Sequence, residues 1–169
     1  MEAKPPRRIV TGHDSTGRSV VLSDGPTPTS EEFATGAIFH EIWATAGEPV
    51  PLDGDEPSEP TARPLQVPPD AEGTIMHVID MPPGSSAPMH RTETVDYGIV
   101  LSGQIDLELD DGSTLHLEPG DIVVQRATAH AWYNRSQHVT RMLFVMVDAK
   151  LSDELASTLG TAALDEILH

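Results

Sequence analysis

The 169-residue sequence contains no cysteine. Disulfides, thiolate nucleophiles and zinc–thiolate sites are excluded with it, and cysteine usage leaves the redox compartment open. Basic residues are also scarce. Ten Lys and Arg stand against 27 Asp and Glu, a formal net charge of −17. A surface of that sign repels phosphate backbones and anionic bilayers, so neither nucleic acid nor membrane is an expected partner. No apolar run approaches the length of a membrane span. The opening MEAKPPRRIVTGHDSTGR has basic residues but lacks the apolar stretch of a secretory signal. A cytoplasmic location is the default expectation from these absences. The length suits one domain with one sizeable core.

Proline is present but unevenly placed. Seven of the 15 prolines fall between Ala46 and Gly73, among Asp, Glu and Gly. Fixed φ and missing N–H groups exclude regular sheet or helix there, and the stretch reads as a long acidic surface loop. Before it lie short β segments, Arg8–Thr11, Ser19–Ser23 and Ala37–Trp43, too short to form a core alone. After it the pattern is denser. Strands are expected at Thr74–Met81, Val95–Leu101, Gln104–Leu109, Thr114–Leu117, Asp121–Gln125, His130–Tyr133 and Arg141–Val147. Turn sequences such as Pro82-Pro83-Gly84, Ser102-Gly103 and Asp110-Asp111-Gly112 separate most of them. Ile105, Leu107 and Leu109 alternate with Asp106 and Glu108, as in a half-buried strand. Many short strands with close turns indicate an antiparallel sandwich or barrel. The tail turns helical: Ser152 can cap one helix that Gly160 ends, and Thr161 can cap Ala162–Leu168. Leu151, Leu155 and Leu159 share a face expected to pack on the barrel. The chain thus divides into residues 1–73, N-terminal strands and an acidic proline-rich loop packing on the barrel, a core barrel at 74–150, and a helical segment at 151–169, all within one domain.

Two segments carry the chemistry. One runs from Gly84 through His90, Thr92, Asp96 and Tyr97 to Gly103; the other runs from Gly120 through Gln125, Arg126, Ala127, His130 and Trp132 to Asn134. Both resemble the signatures of the cupin superfamily, G-x5-H-x-H-x(3,4)-E-x6-G and G-x5-P-x-G-x2-H-x3-N. Gly84, His90 and Gly103 fit the first, and Gly120, His130 and Asn134 fit the second, across about residues 74–147. Thr92 stands in place of a second histidine and Asp96 in place of the glutamate. The second motif is one residue short and lacks its proline and last glycine. The pattern HRT-x3-DYG with QR-x3-HAW-x-N is similar to a small group of cupins. Some of them belong to polyketide and other secondary-metabolite gene clusters, described as oxidoreductases or accessory enzymes. The resemblance implies an all-β fold, an antiparallel double-stranded β-helix or jelly-roll-like barrel, with a β-rich N-terminal extension and short C-terminal helices.

If the first segment is extended, His90, Thr92, Thr94 and Asp96 face one side, and His130 can face the same cavity. Two imidazoles and a carboxylate make the ligand set of an open facial triad. The expectation is therefore one divalent metal per chain on His90, Asp96 and His130, with iron(II) favoured and manganese, nickel or zinc acceptable. Asp96 is read equally well as a general base in a metal-free pocket. Arg126 is a candidate for binding a substrate carboxylate or enolate at the rim, or a surface arginine on an acidic protein. Tyr97 is a second auxiliary. Trp132 is read as pocket lining or core, Asn134 as a turn-fixing residue, and His13, His40, His77 and His116 as structural. The leading function is metal-dependent oxidoreductase chemistry on a small aromatic or polyketide-like molecule. The alternatives are a decarboxylase, dehydratase or isomerase working through an enolate, and a metal-free ligand-binding module. A barrel this small leaves sheet edges to cover, so a homodimer is expected.

Overall fold

Alternating apolar and polar residues fold as strands through nearly the whole chain. The computed structural model describes residues 4–47, 49, 50, 52 and 59–159. The strands are β1 (Arg7–His13), β2 (Ser19–Pro26), β3 (Thr29–Glu32), β4 (Ile38–Thr45), β5 (Thr74–Met81), β6 (Ser86–His90), β7 (Thr94–Ser102), β8 (Ile105–Leu109), β9 (Thr114–Leu117), β10 (Ile122–Arg126), β11 (His130–Tyr133) and β12 (Thr140–Asp148). Among the described residues one helix, α1 (Asp153–Leu159), follows. A six-stranded sheet has the order β10-β7-β12-β5-β4-β3, a four-stranded sheet the order β6-β11-β8-β9, and β1 and β2 form a hairpin of their own. No helix of the described residues is long and apolar enough to cross a membrane.

The two larger sheets pack their apolar faces together. Along β12, Thr140, Met142, Phe144 and Met146 are buried while the residues between them are not. The side chains of Met142, Phe144 and Met146 join Ile75, Val100, Ile105, Leu107 and Trp132 in one cluster that draws on both sheets. The result is the antiparallel barrel expected from the strand pattern. β3 and β4, from the N-terminal segment, complete its larger sheet.

Buried Asn134 ties the barrel ends together. Its Nδ2 donates to the carbonyls of Met81 at 2.7 Å and His138 at 2.8 Å, and its Oδ1 accepts from the Ser136 N–H and hydroxyl. Its backbone pairs with Gly84 and Ser85. The turn-fixing role expected of Asn134 is therefore met, and it extends to joining the ends of β5, β6 and β11.

Two expectations need correction, and one gains detail. β6 and β3 are absent from the sequence reading. Ser-Ala-Pro-Met-His shows no alternation and contains Pro88, which the sheet tolerates because β6 is an edge strand. The second half of the proline-rich stretch, expected as a surface loop packing on the barrel, is held by specific contacts. Thr61 is fully buried, Arg63 meets the buried Glu41 at 3.0 Å, and Arg8 forms a two-pronged ion pair with Glu59 that holds its carboxyl down to about 2. Finally, α1 buries no side chain, and Leu155 is exposed. The Ser152 hydroxyl does accept the Leu155 N–H at 3.2 Å, as a cap should. The expected stop at Gly160 and the helix at Ala162–Leu168 lie outside the described residues.

Candidate active site

The antiparallel pairing of β6 with β11 sets His90 directly opposite His130. Their rings lie 4.2 Å apart, centroid to centroid. Each ring is held by the chain just before it: His90 Nδ1 is 2.7 Å from the Pro88 carbonyl and His130 Nδ1 is 2.9 Å from the Thr128 carbonyl. A carbonyl oxygen only accepts, so both Nδ1 atoms carry the proton, and both Nε2 atoms are left as lone-pair acceptors. Neither Nε2 has a hydrogen-bond partner among the described residues. Burial lowers the pKa of His90, and burial followed by the nearness of His90 pushes His130 down to about 4. Both rings are neutral at pH 7.

The pair looks into a cavity of about 320 Å³ between the sheets. Its wall is mainly apolar, with Phe39, Val67, Ile79, Trp132, Phe144 and Met146 among the lining residues. Trp132 stands edge-on to His130 at 6.0 Å and to Phe144 at 5.7 Å. Thr92 and Asp96 also line this space, as the parity argument requires. Asp96 is buried, which raises its pKa against the opposing effect of the Thr94 and Thr92 hydroxyls.

The expected metal triad is not assembled. Among the described residues no three His, Asp or Glu groups stand close enough to hold a metal ion. The physical reason is a crossing: β6, carrying His90, lies in the four-stranded sheet, while β7, carrying Asp96, lies in the six-stranded one. His90 and Asp96 thus share a cavity from opposite walls, and the aspartate is one methylene short of a glutamate's reach. The described residues offer two neutral imidazole donors and no third protein ligand beside them.

Two auxiliaries are also displaced. Arg126 is exposed and outside the cavity lining, and Tyr97, 43% exposed, points to the outer face. Strand alternation explains both, because Gln125 and Asp96, their immediate neighbours, are the inward pair and face each other across β10 and β7. Counted back from His130, Gln125 stands where the second cupin signature has its proline. Ala127 stands where that signature has its last glycine, and it adopts φ = 51°. That left-handed conformation is strained for a residue with a Cβ. The sequence reading also missed His77, which is fully buried in the cavity wall with neither ring nitrogen hydrogen-bonded. Its parity with Ile75, Ile79 and Met81 on β5 was the available signal.

The cupin domain profile matches residues 77–146. The chain is 39% identical to the cupin-domain-containing oxidoreductase fogC of Aspergillus ruber, over 94% of this chain and 82% of that protein. This chain belongs to the cupin family. The cupin-domain-containing oxidoreductase virC of Hypocrea virens is 35% identical, over 85% of this cupin and 76% of its relative. Phomopsin biosynthesis cluster protein C' of Diaporthe leptostromiformis is 39% identical, over 88% and 82%. Among solved structures, the cupin domain of Schizosaccharomyces pombe Cnp3 superposes with a TM-score of 0.54 over 96% of this cupin and 98% of that domain. At 11% identity it supports the fold alone.

The His77 environment gives a pH prediction. Burial pushes its imidazole down to about 4, so the folded protein keeps it neutral where the unfolded chain takes up a proton near 6.5. The wild-type protein therefore loses stability from this group as pH falls from about 6.5 to about 4, by up to roughly 3 kcal/mol. His77→Leu removes that loss. Urea denaturation at several pH values should show the variant's advantage over wild type widening towards pH 4. A constant difference across the window would mean that the imidazole is charged or paired in the fold.

Proposed function

We propose that this cupin is an oxidoreductase acting on a small, mostly apolar organic molecule held in the barrel against His90 and His130. The observation that carries the reading is the pair of neutral imidazoles whose Nε2 lone pairs are unengaged beside an apolar cavity. The oxidoreductase names of the relatives from Aspergillus ruber and Hypocrea virens support the class of reaction. Two Nε2 acceptors suit removal of a proton from an enol, a phenol or a carbon next to a carbonyl. Either Nε2 can take the proton, because both Nδ1 atoms are committed to backbone carbonyls. The imidazolium so formed faces the anion left on the substrate, and the cavity wall around both is mainly apolar. That enolate or phenolate is electron-rich. Loss of two electrons and two protons from the substrate to dioxygen yields the oxidised product and hydrogen peroxide.

The test uses a panel of 1,3-dicarbonyl compounds and phenols. Hydrogen–deuterium exchange at the acidic carbon is followed by NMR, and oxygen uptake is followed by electrode. The wild-type protein should catalyse both, and continue after exhaustive chelation. His90→Ala and His130→Ala should each cut the exchange rate by about 100-fold or more. Exchange without oxygen uptake would instead indicate the isomerase or lyase alternative. Activity lost on chelation and restored by one divalent metal would overturn the metal-independent reading.

We also propose a homodimer formed through the outer face of the six-stranded sheet. β10 is its edge, and Ile122 and Val124 are 67% and 55% exposed there, beside Tyr97 and Leu101 of β7. An edge strand with an apolar outer face is a surface that a second copy covers. Light scattering at micromolar concentrations should give twice the chain mass, and Val124→Glu should halve it. A monomer mass for the wild-type protein would remove the proposal.

A further inference from the structure

The histidine pair leaves a second polar patch of the cavity unexplained. Gln125 and Asp96, cross-strand partners on β10 and β7, are 3% and 4% exposed and line the same space. Both amide atoms of Gln125 and Oδ1 of Asp96 are buried without a hydrogen-bond partner. Folded proteins leave few such groups unpaired, because each has given up its hydration for nothing. Across the sheet, Asp96 lies opposite Met146 of β12, which has no strong donor to offer. Two adjacent strands therefore present an unpaired amide donor, an amide acceptor and a carboxyl oxygen to one cavity wall.

Charge narrows what completes them. No lysine or arginine lines the cavity among the described residues, while Glu31, Glu32 and Asp96 do. The histidines facing it are neutral. An anionic ligand would meet carboxylates and no cation, on a protein of net charge −17.

We infer that Gln125 and Asp96 form a recognition edge for an uncharged ligand that carries a hydrogen-bond donor and acceptor side by side on an apolar body. Carboxamides, lactams and hydroxy-ketones have that edge. The Gln125 amide meets it with one acceptor and one donor, and Asp96 supplies a further oxygen. The inference rests on the reading of the cavity as the substrate site and adds the substrate class. It also makes Gln125 a specificity residue kept at a cost in stability.

Four probes of one shape test it on the full chain: benzamide, benzoate, benzylamine and toluene, with binding measured by calorimetry and thermal shift. Benzamide should bind best, toluene more weakly and benzoate not at all. Gln125→Met keeps the side-chain length and removes both unpaired atoms. It should weaken benzamide by about tenfold or more and leave toluene unchanged. It should also raise the melting temperature by roughly 2–4 °C. A structural glutamine would do the reverse, so a melting temperature lowered in both Gln125→Met and Gln125→Leu overturns the inference. Benzoate or benzylamine binding as tightly as benzamide overturns it too, as does unchanged benzamide affinity in Gln125→Met or no binding of either neutral probe. Binding is read without turnover. Lost selectivity thus counts against the recognition edge alone, and lost deuterium exchange against the histidine pair alone.

Discussion

The register that places His130 opposite His90 is the constraint on which the site depends. A shift of one residue between β6 and β11 would turn one imidazole out of the barrel, since side-chain direction alternates along a strand. Three features hold that register. Asn134 fastens the end of β11 to the end of β5 with its Nδ2 and to the approach of β6 with its backbone. Trp132, two residues from His130, is buried edge-on to Phe144 of the opposing sheet. The carbonyls of Pro88 and Thr128 then fix each ring's tautomer from its own strand approach. Ala127 in a left-handed conformation makes the tight turn that delivers Thr128, and its N–H donates to the Thr94 carbonyl at 3.1 Å.

From that arrangement the chemistry follows by exclusion of charge. Burial keeps both histidines neutral, and their Nδ1 protons are already committed to backbone carbonyls. What remains is a pair of bases in an apolar space, with polar atoms unsatisfied on the facing wall. Buried polar groups without partners lower stability, and a fold retains them where a ligand supplies the missing bonds. The cupin barrel alone decides none of this, because the same architecture serves unrelated reactions.

Much of the fold was legible in the sequence because period-two alternation is strong in β7, β8 and β12, and because glycine-rich turns punctuate it. β6 was not, since a proline and small residues hide an edge strand that only its neighbour β11 defines. The histidines were legible from the spacing of two motifs. The metal triad was not, because parity places His90 and Asp96 in one cavity without fixing their separation, and the chain leaves one sheet for the other at residues 91–93. The same alternation, applied to β10 from Val123, would have selected Gln125 as the inward residue and sent Arg126 to solvent. His77 lacked any ligand-like spacing, and its place in the cavity depends on β5 pairing with β12, a contact distant in sequence.

The tautomer and charge of the two imidazoles test the account most directly. Two-bond proton–nitrogen correlation spectra on ¹⁵N-labelled protein should show His90 and His130 as neutral Nδ1–H tautomers at pH 7. His130 should still be neutral at pH 5, with protonation near 4. A proton on Nε2 of either ring, or a positive charge on His130 above pH 6, would contradict it.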